Sequence, residues 1–195
     1  MLSLKNSLAV LKKTEALKEG HFVLSSGLHS HQYVQCAKLL SFPNKANKIC
    51  KSLAFKIKKN FKKIDIILSP AMGGIIIGYE IGKILKIETI FCERVKGKFK
   101  LRRGFSIKKN MRVLIVEDVI TTGKSSMECA KLIKSSKAKL LGFATIIDRS
   151  TKKSLKIKKK IISHLKIDVP TYKANQLPYK LKSIPITIPG SRFIK

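Results

Sequence analysis

The residues with the clearest capacity for chemistry lie between positions 113 and 126, in the run VLIVEDVITTGKSS. Val113, Leu114, Ile115 and Val116 have the character of a buried parallel strand, and the acidic pair Glu117 and Asp118 is expected to end it. Val119 and Ile120 follow, and Thr121, Thr122, Gly123, Lys124 and Ser125 lead into a predicted helix. A helix start presents N–H groups that its own carbonyls cannot reach, at the positive end of the summed peptide dipoles. Gly123 allows close backbone approach and the Thr and Ser hydroxyls add donors, so the turn suits a phosphate. The two carboxylates repel phosphate, but they accept hydrogen bonds from ribose hydroxyls and attract a hydrated Mg²⁺. Phosphate and sugar together point to a phosphorylated ribose. A nucleoside-triphosphate loop is the competing reading, because Gly123, Lys124 and Ser125 match its last three positions; its first Gly would have to stand where this chain has Asp118. A solvated acidic strand end followed by an ordinary Ser/Thr cap explains either half of the run alone, but not the two in this order.

The elements that must hold this turn follow from the spacing around it. Predicted strands at 64–68, 87–92, 112–117 and 139–147 alternate with helices at 75–85 and from the turn to about 136. That alternation predicts an α/β fold with a mostly parallel sheet covered on both faces and ligands outside the carboxyl ends of its strands. Three turns share that end: 69–74, which contains Met72 and Gly73; 117–125; and Asp148 with Arg149. Upstream, Leu4, Leu8 and Leu11 predict an amphipathic helix over about 3–18, stopped by Gly20. Residues 21–38 read as a hairpin-like excursion turning at Ser25, Ser26 and Gly27 and continuing through Tyr33 and Val34. His21, His29 and His31 within it lack ligand spacing and are expected to be exposed. Pro43 opens a second helix to about 60.

The stretch 93–110 carries Arg94, Lys96, Lys98, Lys100, Arg102, Arg103, Lys108 and Lys109, with Gly97 and Gly104 as flex points and no helical pattern. A connection of this length suits a lid whose cations neutralise a departing anion and exclude water. After Arg149 the chain is lysine-rich, an added strand is predicted over 160–169, and the proline-bearing tail predicts an irregular segment lying on the domain.

At 195 residues the chain is most simply one domain with a small appended subdomain. Its net charge of +31 would attract polyanions, yet lysine is spread over nearly every segment, only six of the 42 basic residues are arginine, and there is no Trp. A specific nucleic-acid partner is therefore not expected. Cys36, Cys50, Cys92 and Cys129 form no close pairs in sequence, so reduced core thiols are expected rather than a zinc site or a disulfide framework. The N-terminus lacks the uninterrupted apolar core of a secretory signal and no run is long enough to span a bilayer, which predicts a cytoplasmic protein without a membrane partner.

Six segments in this order, FVLSSGLHS at 22–30, SPAMGGIIIGYEIG at 69–82, ERVKGKFKLRRGF at 93–105, the central run, DRS at 148–150 and LPYKLKSIPITIPGSR at 177–192, resemble the orotate phosphoribosyltransferases of the type I phosphoribosyltransferase family. The resemblance implies one phosphoribosyltransferase domain over 1–195, with a hood at about 20–40 and a flexible lid at about 94–109. It also implies transfer of the phosphoribosyl group of 5-phosphoribosyl 1-diphosphate (PRPP) to orotate with Mg²⁺, the metal held mainly through PRPP without a dedicated protein ligand set. A homodimer sharing its lids across subunits is implied as well. By position, Glu117 and Asp118 would hold the ribose, Val119 through Ser125 would line PRPP with residues 121–125 around its 5′-phosphate, and Met72, Gly73, Arg94 and Lys98 would meet its pyrophosphate. Thr121, Arg149, Tyr33, Val34 and Ser25 would face orotate, and Lys98, Arg102 and Arg103 would supply the catalytic lid cations. Many members have Lys where this chain has Ser25 and Gly73, and a Lys-x-His lid in place of the run from Gly97 to Arg103. A purine or other pyrimidine phosphoribosyltransferase, and a PRPP-sensing nucleic-acid-binding regulator of the same fold, are the alternative readings.

Overall fold

Apolar residues at helical spacing stop at Leu11, and the first helix stops with them: α1 (Leu4–Lys13) is capped by Ser3, whose hydroxyl accepts the Asn6 N–H. The computed structural model describes residues 2–24, 26–151 and 154–189. The helix expected over 3–18 is thus shorter. Glu15 takes a positive φ, and the chain enters strand β1 (Leu17–Val23), with Gly20 inside the strand where its pairing is irregular. β1 pairs antiparallel with β2 (His29–Val34), which bears out the hairpin. Short α2 (Cys36–Leu40) leads to α3 (Pro43–Asn60), which starts at the expected proline and buries Ile49, Leu53 and Ile57.

Alternation then proceeds through β3 (Ile66–Pro70), α4 (Gly73–Leu85), β4 (Thr89–Val95), β5 (Lys98–Leu101), β6 (Arg112–Ile120), α5 (Lys124–Ser135), β7 (Lys139–Asp148) and β8 (Ile161–Lys166). These strands form a six-stranded sheet in the order β5-β4-β3-β6-β7-β8, parallel throughout except for the β4/β5 pair. The tail was expected to be irregular. It holds a 3₁₀ turn (Ala174–Gln176), the short helix α6 (Tyr179–Lys182) and β9 (Ile186–Thr187), which pairs with β1 and completes a three-stranded sheet in the order β2-β1-β9.

Side chains alternate across β6 and so divide the core in two. Leu114 and Val116 face Ile49, Leu53, Ile57, Ile77 and Ile81 of α3 and α4. Val113 and Ile115 face Cys129 and Ile133 of α5, where Phe99 of β5 and Ile107 and Ile157 from the connections complete the cover. Each such aliphatic contributes about 1.5–3 kcal/mol by leaving water. α4 lies close on the sheet because a β-carbon at Gly78 or Gly82 would overlap Ser69 Oγ or Thr89 Oγ1. On the other flank, α1 docks through Ser7 Oγ, 2.8 Å from His164 Nε2. Burial, with the Lys56 charge assisting, lowers that imidazole to about 4.

The histidine expectation is corrected. His21 and His29 are buried, with Nε2 of the first 2.6 Å from Nδ1 of the second, and His21 Nδ1 lies 3.2 Å from the Ile184 carbonyl; only His31 of the three is exposed. The tail covers them, a contact invisible in local spacing. All four cysteines are free and buried. Among the described residues no helix is long and apolar enough to cross a membrane.

Candidate active site

β6 runs three residues farther than predicted, because Val119 and Ile120 continue its pairing with β7 as far as Asp148. The acidic pair therefore sits within the strand instead of ending it. Glu117 is 5 % exposed, and its Oε1 has no hydrogen-bond partner. Burial pushes its carboxyl up to about 7, with the Ser126 hydroxyl opposing the shift and the Asp118 charge adding to it. Burial also raises Asp118, against the pull of the Val119 N–H and its own. The Asp118 backbone is anchored instead: its carbonyl accepts Thr145 Oγ1 at 2.9 Å and Cys36 Sγ at 3.7 Å. Thr145 and Cys36 were not singled out in the sequence, since their role depends on partners 27 and 82 residues away.

Beyond Ile120, whose side chain is buried, Thr121 and Thr122 are exposed and Gly123 takes φ +73 as the residue before α5. No side chain caps this helix start. Thr122 Oγ1 accepts the Lys124 N–H at 3.3 Å, and the helix geometry leaves other first-turn N–H groups for a ligand. Lys124 is exposed and Ser125 half-buried beside them.

Neighbouring strand ends bring the other residues in. After β3, the Ala71 N–H donates to the Cys92 carbonyl at 2.7 Å, Met72 is exposed, and α4 begins at Gly73. A β-carbon at Gly73 would stand 2.7 Å from Asp118 Oδ2, so this turn abuts the acidic pair, and any side chain here would displace the carboxylate. After β7, the Arg149 N–H donates to the Ile120 carbonyl at 2.8 Å. The Arg149 guanidinium is half-buried, its Nε has no hydrogen-bond partner, and none of the described carboxylates pairs with it. Asp148, its neighbour in sequence, is buried and accepts the Ser150 N–H instead. Burial lowers the Arg149 pKa, against the electrostatic pull of Tyr33 and Cys36. Tyr33 is half-buried, whereas Val34 points into the core. Ser25 lies outside the described residues.

The segment expected as a flexible lid at about 94–109 contains a strand not expected from the sequence, β5, paired with the end of β4. Lys96 and Gly97, both at positive φ, make the two-residue turn of the β4–β5 hairpin, and Phe99 and Ile107 are buried against α5's side of the sheet. Its arginines are paired with the protein's own acids. Arg94 Nη2 lies 2.7 Å from Glu128 Oε2, Arg103 Nε 3.1 Å from Glu93 Oε1, and Arg102 Nη1 3.9 Å from Glu93 Oε2. Lys98 is exposed at the turn, with no acid within ion-pair distance among the described residues.

The donor set fits a ribose better than a bound metal. Hard oxygens are present, but no three His, Cys, Asp or Glu side chains gather among the described residues to hold an ion by themselves.

Residues 42–180 match the phosphoribosyl transferase domain family. Across 184 residues the chain is 46% identical to the orotate phosphoribosyltransferase of Parvibaculum lavamentivorans, covering 94% of each. It belongs to the orotate phosphoribosyltransferase family. The orotate phosphoribosyltransferase of Caldicellulosiruptor saccharolyticus is 43% identical over 186 residues, covering 95% of this chain and 96% of that one. The crystal structure of orotate phosphoribosyltransferase from Aeropyrum pernix superposes with a TM-score of 0.70 at 21% identity over 82% of this chain and 92% of the other, a likeness of fold. The domain match begins after the small sheet's hairpin, while the full-length relatives include it. An orotate phosphoribosyltransferase is a phosphoribosyl-transferring enzyme, and the chain has the mostly parallel sheet flanked by helices of that family.

Proposed function

We propose that this chain transfers the 5-phosphoribosyl group of PRPP to orotate, giving orotidine 5′-monophosphate and pyrophosphate, a step of pyrimidine biosynthesis. One observation carries the reading: Glu117, buried with its Oε1 unpartnered, and the adjacent Asp118 precede a turn whose helix has no side-chain N-cap, and that turn is held to the strand end bearing Arg149, which has no acid partner among the described residues. Each leaves unmet the kind of bond that one part of the two substrates supplies.

The 5′-phosphate is taken by residues 121–125, whose N–H groups and hydroxyls are aimed before it arrives. Glu117 and Asp118 accept the ribose hydroxyls and hold the anomeric carbon in place. A ribose O–H donated to Glu117 favours its charged form, which burial alone resists. Arg149 offers its planar donors to the orotate carboxylate, with Tyr33 alongside and Thr121 near the ring. Met72 and Gly73 meet the pyrophosphate. At the reacting centre the bond from the anomeric carbon to the pyrophosphate oxygen breaks as the bond to an orotate ring nitrogen forms, that nitrogen's proton passing to the departing pyrophosphate or to solvent, and Arg94, Lys98, Arg102 and Arg103 neutralise the leaving group's growing charge. Mg²⁺ would be held mainly through PRPP, with Asp118 the protein carboxylate available to it, and would supply further charge neutralisation. The proposal includes a cytoplasmic homodimer whose lids serve each other's sites; four reduced cysteines are consistent with that compartment.

The test is a panel of orotate, uracil, adenine and guanine with PRPP and Mg²⁺, following pyrophosphate release. Turnover with orotate alone is expected. Preference for uracil or a purine would transfer the assignment to a sibling activity, and binding of PRPP without turnover on any base would favour a sensor.

A further inference from the structure

The connection from β7 to β8 touches the 120–123 turn twice. At its start Arg149 donates its N–H to the Ile120 carbonyl at 2.8 Å; farther on, Lys156 donates its N–H to the Thr122 carbonyl at 3.0 Å. Between these two grips lies Gly123, and the residue beneath it is Ile157. Ile157 is 6 % exposed and packs in the core on the α5 side of the sheet. A β-carbon on Gly123 would stand 2.7 Å from both its Cδ1 and its Cγ1.

Gly123 is where the turn is least constrained by its own chemistry. It lies at φ +73, has no side chain, and receives no side-chain cap from its helix. Unsupported, its peptide planes would have to be ordered when an anion binds, and that ordering would weaken the binding. A β-branched side chain wedged beneath the residue, with few rotamers of its own, limits that freedom. We infer that Ile157 is a positioning residue for the sugar-phosphate subsite: packed under Gly123 and tied to Thr122 through the neighbouring Lys156 N–H, it fixes the turn with its N–H groups facing the phosphate. The inference rests on the reading of residues 121–125 as the phosphate turn and deepens it. The same connection begins with Arg149, so it braces the phosphate turn while carrying the base-recognition arginine.

Full-length Ile157→Val, which removes only the Cδ1 methyl, and Ile157→Ala are compared with wild type. The readouts are steady-state kinetics and equilibrium binding of ribose 5-phosphate, which carries the phosphate without the leaving group. Ile157→Ala should raise the PRPP KM and the ribose 5-phosphate Kd about tenfold and Ile157→Val about threefold, with kcat and the orotate KM within about twofold of wild type. A folded Ile157→Ala protein with unchanged ribose 5-phosphate affinity overturns the inference. So does a parallel loss in kcat and in both KM values tracking a fall in Tm, which marks a simple core filler. Should Ile157→Ala not fold, an unchanged Kd in Ile157→Val overturns it equally. Wild-type protein that binds neither PRPP nor ribose 5-phosphate would overturn the phosphate reading itself, a separate and recognisable failure.

Discussion

The end of β6 and the β4–β5 hairpin treat charge in opposite ways. At the end of β6 the charge is buried and incompletely paired: Glu117 Oε1 has no hydrogen-bond partner, and no side-chain N-cap closes the start of α5 that follows. On the hairpin the arginines are exposed and paired, Arg94 with Glu128 and Arg102 and Arg103 with Glu93. The first region holds unmet bonding capacity in fixed geometry, at a cost in stability, and suits recognition that must be ready before the substrate arrives. The second spends its cations on weak pairs that a stronger anion can displace. Substitutions in the two regions should therefore fail differently.

The largest effect is expected at Asp118, which is hemmed in by Gly73 on one side and has its backbone held by Thr145 and Cys36. Asp118→Asn should lower kcat/KM for PRPP by about 100-fold or more, since a rigid site cannot re-aim another charge. Near-normal kinetics in that variant would show that the strand end is less organised than the packing implies. Arg149→Ala comes next, with a loss of about 100-fold in kcat/KM for orotate and little change in PRPP affinity, if this half-buried guanidinium, which pairs with no acid among the described residues, takes the orotate carboxylate as its counter-ion. Equal losses for both substrates would mean that Arg149 braces the turn through its backbone neighbourhood more than it reads the base.

The strand end should also reveal its cost in stability. Glu117 is raised from 4.5 to about 7 by burial, so without ligand the folded state prefers the protonated carboxyl. Its contribution is favourable below pH 4.5 and is lost progressively as pH rises to about 7. Glu117→Gln, which never ionises, should gain on wild type across that window, by up to roughly 3 kcal/mol at pH 8, while losing activity. His164 works in the opposite direction: lowered from 6.5 to about 4, it contributes above pH 6.5 and loses that contribution as pH falls toward about 4. Denaturant titrations of both proteins from pH 4 to 8 separate the two, since only the Glu117 part vanishes in the variant. No pH-dependent gap between them would mean that Glu117 is better solvated than its burial indicates.

These contrasts also explain what the sequence could disclose. The α/β alternation, the acidic pair and the turn were legible because each is local: an apolar run, a change of period, a Gly before a helix. The hairpin was partly legible and misread, since counting the cations of 93–110 hid the alternation of Lys98, Phe99, Lys100 and Leu101 that marks a strand. Other features had no local signal. His21 is buried by Ile184, 163 residues away, and the tail becomes a strand only because β1 offers it an edge. Glu93 and Glu128 look like ordinary surface acids until the fold sets arginines beside them.

The hairpin predictions are smaller. Replacing Arg102 and Arg103 by Gln should lower kcat about tenfold while leaving orotate binding nearly unchanged, if these cations act on the leaving group in the transition state. A loss confined to binding would make them docking charges.

Glu93 gives the smallest expected effect and the sharpest contrast with Asp118. Its carboxylate is 21% exposed and faces two arginines that are 59% and 61% exposed, so each pair should contribute at most about 1 kcal/mol. Pyrophosphate carries more charge and can engage both guanidiniums, so it should displace Glu93 when it binds there. Glu93→Gln removes that competition. Pyrophosphate affinity should rise about threefold at low salt, and the difference should fade above about 0.5 M, where the screening length shrinks to a few ångströms. The same substitution is not expected to raise kcat, since freeing the arginines favours substrate and product alike. A fall in kcat with unchanged pyrophosphate affinity would reverse the interpretation: Glu93 would then aim the arginines as rigidly as Thr145 and Cys36 hold Asp118, and the two regions would no longer differ in kind.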